Sequence, residues 1–219
     1  MNTELTELVF ILDRSGSMGG LESDTIGGFN GMIAKQKAQE KKVNVTTILF
    51  DDEVDIIHDR FPMEIIEPLT EKEYFVCGCT ALLDAVGTAI EKMENVQKHL
   101  PEDHQAEKII FVITTDGLEN SSEHFTQGQI RRKIEAKKDS GWEFLFLGAN
   151  IDARREVEKI GISGNRSVTY ENDFKGVELN FKAVGKAISK AVESDAIVDF
   201  MDEHWADEIQ AYKERKNSL

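Results

Sequence analysis

Two stretches of the chain are apolar at almost every position and show no polar alternation. Residues 7–13 carry Leu8-Val9-Phe10-Ile11-Leu12, and residues 108–114 carry Ile109-Ile110-Phe111-Val112-Ile113. A strand with one wet face alternates apolar and polar residues, so an unbroken apolar run marks a strand covered on both faces. Such strands belong to parallel sheets lying between layers of helices.

The rest of the chain alternates strand-like and helix-like segments. Residues 21–41 predict a helix with Ile26, Phe29 and Ile33 on one side. Its internal glycines, Gly27, Gly28 and Gly31, weaken it and permit close approach to the sheet. Residues 43–50 and 54–61 are β-rich and separated by Asp51-Asp52-Glu53, which makes a hairpin, so one of these strands runs against the others. Pro62 and Pro68 argue against a continuous helix in the connection over 62–78. Helices over 81–96 and 125–138, a strand over 142–147 stopped by Gly148, a short helix over 153–160, a short strand over 167–170 and a helix containing 182–192 follow. With right-handed crossovers these elements predict a doubly wound, Rossmann-like α/β fold. Its mostly parallel six-stranded sheet has the order 3-2-1-4-5-6, one antiparallel edge strand, and helices on both faces. This domain is expected over residues 1–193. Residues 194–219 are expected to form a C-terminal amphipathic helical tail in which Ile197, Phe200, Met201, Trp205, Ile209 and Tyr212 recur near helical spacing, packed on its parent domain in preference to serving as a free partner-binding or dimerising helix.

The first buried strand ends on Asp13-Arg14-Ser15-Gly16-Ser17, followed by Gly19 and Gly20. Alternate residues of an extended chain point the same way, and the glycines let the backbone turn around whatever the oxygens hold. The predicted strand order sets this end beside the strand that runs into Thr115-Asp116-Gly117, at the crevice where open α/β sheets bind ligands. Taken singly, Ser15 and Ser17 read as turn formers and Asp116 as a helix cap. Together at one crevice they read as a set of hard oxygen donors for a divalent cation.

These residues resemble the von Willebrand factor type A family, of bacterial or phage type, with its metal-ion-dependent adhesion site. The family pattern is D-x-S-x-S after the first strand, a Thr on a later loop and an Asp after the fourth strand. It matches Asp13-x-Ser15-x-Ser17, Thr80 in Gly78-Cys79-Thr80-Ala81-Leu82, and Asp116 in Thr114-Thr115-Asp116-Gly117. Cys79 departs from the Gly that commonly precedes the Thr. The resemblance covers residues 5–193 and implies a metal site of Asp13, Ser15, Ser17, Thr80 and Asp116. Mg²⁺ is the first choice of ion, with Mn²⁺ or Ca²⁺ also compatible with oxygen donors of this kind. It also implies a protein partner whose Asp or Glu completes the coordination. Such partners include AAA+ ATPases and other components of multiprotein systems.

Composition narrows the alternatives. Forty-one acidic against 26 basic residues give a net charge of −15, which repels nucleic acid. No apolar stretch approaches a membrane span and the N-terminus lacks a signal-like pattern, so a cytoplasmic location is expected. Cys77 and Cys79 are expected to be reduced thiols. Asp51, Asp52 and Asp55 read as hairpin-turn residues in preference to a second cation site. Asp84 reads as a helix N-terminal carboxylate or a support to the site, and Glu119, Asn120, Ser121 and Ser122 extend its rim but read as helix-capping residues in preference to partner-selecting ones.

No nucleophile–base pair, P-loop or GxGxxG occurs, so a non-catalytic binding module is expected. The alternative is a Mg-dependent phosphatase of haloacid dehalogenase type with Asp13 as nucleophile. That chemistry requires an Asp two residues further on, where Ser15 stands.

Overall fold

The computed structural model describes residues 2–39, 41–149, 152–193 and 204–218. The buried run of the first strand, β1 (Asn2–Asp13), lies at the centre of the sheet, with β2 (Lys42–Phe50) on one side and β4 (Ala106–Thr115) on the other, both parallel to it. The full order is β3-β2-β1-β4-β5-β6, with β5 (Glu143–Ala149) and β6 (Ser167–Tyr170) also parallel. β3 (Val54–Pro62) returns antiparallel along β2 and forms the edge, as the Asp51-Asp52-Glu53 hairpin requires.

Strand pleating divides the core in two. Leu8, Phe10, Leu12, Ile110 and Val112 face α1 (Glu22–Lys37) and α5 (Phe174–Glu193), whereas Val9, Ile11, Ile109, Phe111 and Ile113 face α2 (Leu82–His99), α3 (Gln127–Asp139) and α4 (Ala153–Lys159). The two buried strands therefore carry side chains into both layers. α3 begins with a capping box between Thr126 and Gln129, which sets the direction in which the chain leaves the sheet's C-terminal end.

Two details differ from expectation. Gly148 does not stop β5; it pairs between Thr115 and Thr169 inside the sheet. The close approach made by α1 is to α5 and not to the sheet: a Cβ on Gly28 would stand 2.3 Å from the Phe181 ring. The helix expected to contain residues 182–192 is α5, which runs from Phe174 to Glu193.

The connection from β3 to α2 is packed down. Met63, Ile66, Leu69 and Tyr74 are buried in the α1–α5 layer, and the Asn30 carboxamide exchanges two hydrogen bonds of 2.8 Å with the Leu69 backbone. In the tail, α6 (Asp207–Asn217) covers the same layer with Ala206 and Ile209, while Trp205 donates to the Asn165 carbonyl at 3.0 Å. Ile197, Phe200 and Met201 lie outside the described residues. Among the described residues no helix is long and apolar enough to cross a membrane.

Candidate metal centre

The first of three loops leaves β1 at Asp13, whose side chain is buried. Its Oδ1 accepts the Ser15 amide at 2.7 Å, and its Oδ2 accepts the Thr115 hydroxyl at 2.5 Å. The backbone carbonyl of Asp13 accepts the Tyr74 hydroxyl, also at 2.5 Å. The register of β1 with β4 pairs Leu12 with Thr114, which brings the end of β4 alongside Asp13.

The second loop carries Thr80 and is zipped to the first. The Cys77 amide donates to the Arg14 carbonyl at 3.0 Å, and the Gly16 amide donates to the Gly78 carbonyl at 3.1 Å. Gly78 has φ +64°, and a Cβ there would collide with the Asp52 carboxylate, so only glycine fits. The third loop follows Asp116. Its Asn120 accepts the Thr80 amide at 2.9 Å on Oδ1 and returns its own amide to the Thr80 carbonyl at 3.1 Å.

The side chains at the junction form one hydrogen-bonded chain. Thr80 Oγ1 donates to Ser15 Oγ at 3.1 Å, Ser15 Oγ and Ser17 Oγ are 3.1 Å apart, and Ser17 Oγ donates to Asp116 Oδ1. Asp116 Oδ2 accepts the Asn172 carboxamide at 3.2 Å from the loop between β6 and α5. The structure thus brings Asp13, Ser15, Ser17, Thr80 and Asp116 to one place from three loops.

The electrostatics fit a cation. Burial, and to a smaller extent the neighbouring Asp116, push the Asp13 carboxyl up to about 6 against the pull of its bonds from Thr115 and Ser15. Asp116 is also raised by burial, only partly offset by Ser17 and Asn172. The bonds to both carboxylates come from neutral amides, hydroxyls and a carboxamide. A divalent ion would supply the missing positive charge and favour the ionised forms. Among the described residues no group of three or more His, Cys, Asp or Glu could hold a metal; the candidate donors brought together here are two carboxylates and three hydroxyls.

Arg14 brings no charge to the centre, because its side chain points the other way. Its Nε lies 2.8 Å from Asp51 Oδ2 and its Nη2 2.6 Å from Asp55 Oδ2. Asp51 is also the acceptor for the Cys77 thiol at 2.9 Å and the Glu53 amide at 2.7 Å. These bonds outweigh burial and hold its carboxyl below the ordinary range, while the same bond pushes the Cys77 thiol up to about 11. The hairpin aspartates therefore close the turn and anchor the first two of these loops. Asp84 accepts the amides of Glu123, His124 and Phe125, which pins the loop leading into α3.

Thr115, Tyr74 and Asn172 take part in the site although the sequence reading gave them no role there. Thr115 stood inside the quoted motif; Asn172 is 56 residues from its partner, with no local signal to mark it.

A model of the von Willebrand factor type A domain matches residues 7–183. No curated protein sequence matches the chain. Among solved structures, the chain is similar to the vWF domain of the type V pili tip protein Mfa5 from Porphyromonas gingivalis, at 12% identity and TM-score 0.64, over 91% of this chain and 100% of that one. It is similar to the pilus adhesin SpaC from Lactobacillus rhamnosus GG at 14% identity and TM-score 0.64, over 88% of this chain and 31% of that one. It is also similar to proximal thread matrix protein 1 from the mussel byssus, in a structure with a zinc-occupied MIDAS motif, at 14% identity and TM-score 0.54. That match covers 84% of this chain and 46% of the mussel protein. The chain thus spans less than half the length of the adhesin and of the matrix protein.

Proposed function

The chain belongs to the von Willebrand factor type A domain family, and from that premise we propose that it is a non-catalytic, divalent-metal-dependent protein-binding module. Asp13, Ser15, Ser17, Thr80 and Asp116 would hold the cation, and an Asp or Glu of a partner would complete its coordination. The observation that carries this reading is the pair of buried carboxylates bonded only by neutral donors, beside a chain of three hydroxyls that ends on Asp116. A cation held largely by neutral hydroxyls keeps most of its charge and is a strong acceptor site for an incoming carboxylate.

Mg²⁺ is the ion we propose first, because every donor is a hard oxygen. Zinc in the mussel protein is a property of that protein. The setting we propose is a multiprotein assembly, with an AAA+ ATPase as one candidate partner. Phosphoryl transfer is disfavoured because Ser15 occupies the position of the required acid and is engaged with Thr80 and Ser17.

The test is calorimetric titration of the EDTA-treated chain with Mg²⁺, Mn²⁺, Ca²⁺ and Zn²⁺, repeated on Asp13→Ala and Asp116→Ala. Binding by the parent and none by either variant is expected. Equal binding in all three chains would remove the site, and phosphoester hydrolysis dependent on Asp13 would remove the non-catalytic reading.

A further inference from the structure

Asn172 reaches Asp116 from outside the three loops, through the 3.2 Å bond from its Nδ2. Its Oδ1 is buried and accepts no hydrogen bond among the described residues. The aim of this carboxamide is therefore set by the backbone on either side of it. That backbone is a tight turn into α5. The Asp173 amide donates to the Glu171 carbonyl at 2.9 Å, and Asp173 Oδ1 caps α5 by accepting the Gly176 amide at 2.8 Å. A Cβ on Gly176 would collide with the Glu171 carbonyl, so the first turn of α5 closes on this turn because the residue is glycine.

The outer side of the turn is held by α6. Lys216 Nζ lies 2.7 Å from Asp173 Oδ2 and 3.3 Å from Glu171 Oε2, and the Tyr212 hydroxyl donates to the same Asp173 oxygen at 3.0 Å. One ammonium thus joins the two carboxylates that flank Asn172. Without it, like charges would stand unpaired on both sides of the carboxamide, and their repulsion would open the turn. α6 lies beyond residues 7–183, which the family match covers, so the clamp is supplied by this chain's own tail.

We propose that α6 controls the metal centre: Lys216, with Tyr212 beside it, is a positioning residue that holds Asn172 on Asp116 through the turn and so raises the site's affinity for its cation. The inference rests on the metal-site reading above. A carboxylate that ligates an ion is aimed by the hydrogen bonds it accepts, and losing such a partner weakens binding of the ion. The clamp acts one contact further out and Lys216 is 46% exposed, so its share is smaller. Charge alone predicts the opposite sign, because removing a cation from this side of the molecule would draw Mg²⁺ in more tightly. A weaker site without Lys216 therefore marks positioning. Linkage makes the effect mutual: an ion that fixes Asp116 also holds α6 more firmly on the domain.

The experiment is calorimetric titration of the EDTA-treated full chain with Mg²⁺ alone, with hydrogen exchange of residues 207–217 followed in Mg²⁺ and in EDTA. The parent is compared with Lys216→Met, Lys216→Arg, Asn172→Leu, the double variant of Lys216→Met with Asn172→Leu, and Glu208→Gln. Glu208 ties α6 to α5 through Lys182 and Lys186, each at 2.6 Å, away from the turn, so its variant reports on general loosening of α6. Binding should weaken about tenfold in Asn172→Leu and about threefold to fivefold in Lys216→Met. Lys216→Arg should recover the parent's affinity and Glu208→Gln should keep it. The double variant should bind no more weakly than Asn172→Leu. Mg²⁺ should slow exchange in α6 of the parent and not of Asn172→Leu. Unchanged or tighter binding by Lys216→Met, an additive double variant, or an equal loss in Glu208→Gln overturns the clamp and leaves the metal reading intact. No binding by the parent overturns both.

Discussion

The hydroxyl of Thr115, the last residue of β4, donates to Asp13 Oδ2, the last carboxylate of β1, across 2.5 Å. This bond ties the two central strands at the point where the candidate metal site begins. It does not fully offset the burial of the carboxylate, which stays raised to about 6.

The pH dependence follows from that value. In the unfolded chain Asp13 releases its proton near the ordinary carboxylate range, whereas in the folded apo chain it holds the proton until about pH 6. Its destabilising effect is therefore absent below the unfolded value, grows as pH rises towards 6, and is complete above it. Asp13→Asn should stabilise the EDTA-treated chain at pH 7.5 by about 1–3 kcal/mol, give no gain at pH 3.5, and abolish stabilisation by Mg²⁺. Urea denaturation at both pH values measures this. A variant less stable than the parent at pH 7.5 would contradict it.

Gly117→Ala probes the crowding at the hydroxyls. The added methyl group would press on Thr80 Oγ1 and Ser17 Oγ, and moving them aside is expected to cost at least tenfold in Mg²⁺ affinity. The fold should survive with a loss of about 1–3 kcal/mol. Calorimetric titration and urea denaturation of the same preparation separate the two effects.

Arg14→Met leaves Asp51 buried without its cation, since both side chains are almost wholly covered. A loss of about 3–5 kcal/mol is expected, and the double variant with Asp51→Asn should recover part of it. A double-mutant cycle that shows simple additivity would mean that the pair does not act as a unit.

Ile209→Ala tests whether α6 is an integral part of the core. Ile209 is buried against the α1–α5 layer, and truncation should cost about 2–4 kcal/mol. A helix held free for a partner would lose less than about 0.5 kcal/mol at the same position.

Much of this architecture could be read from residue patterns, because long-range order here follows local rules. The two unbroken apolar runs demand cover on both faces, and the Asp51-Asp52-Glu53 turn forces β3 to reverse; both hold in the sheet. The five candidate ligands converge because they lie at the C-terminal ends of β1 and β4, in the turn that follows β1, and just before α2, where position is set by topology. What stayed hidden depends on contacts between elements. Gly28 looks like a helix breaker until Phe181 is seen against it, and Gly148 looks like a stop until its two neighbouring strands are in place. Asn172 reaches Asp116 only once β6 has joined the sheet edge.

The origin of the three loops has a kinetic consequence. Asp13, Thr80 and Asp116 lie far apart in the chain and meet only when β1, β2 and β4 are already paired. Parallel pairing of this kind closes long loops before it gains contacts, and it is slow. An ion that binds only the finished junction cannot speed that search. It should leave the refolding rate nearly unchanged and lengthen the lifetime of the native state, acting as a lock on completed topology.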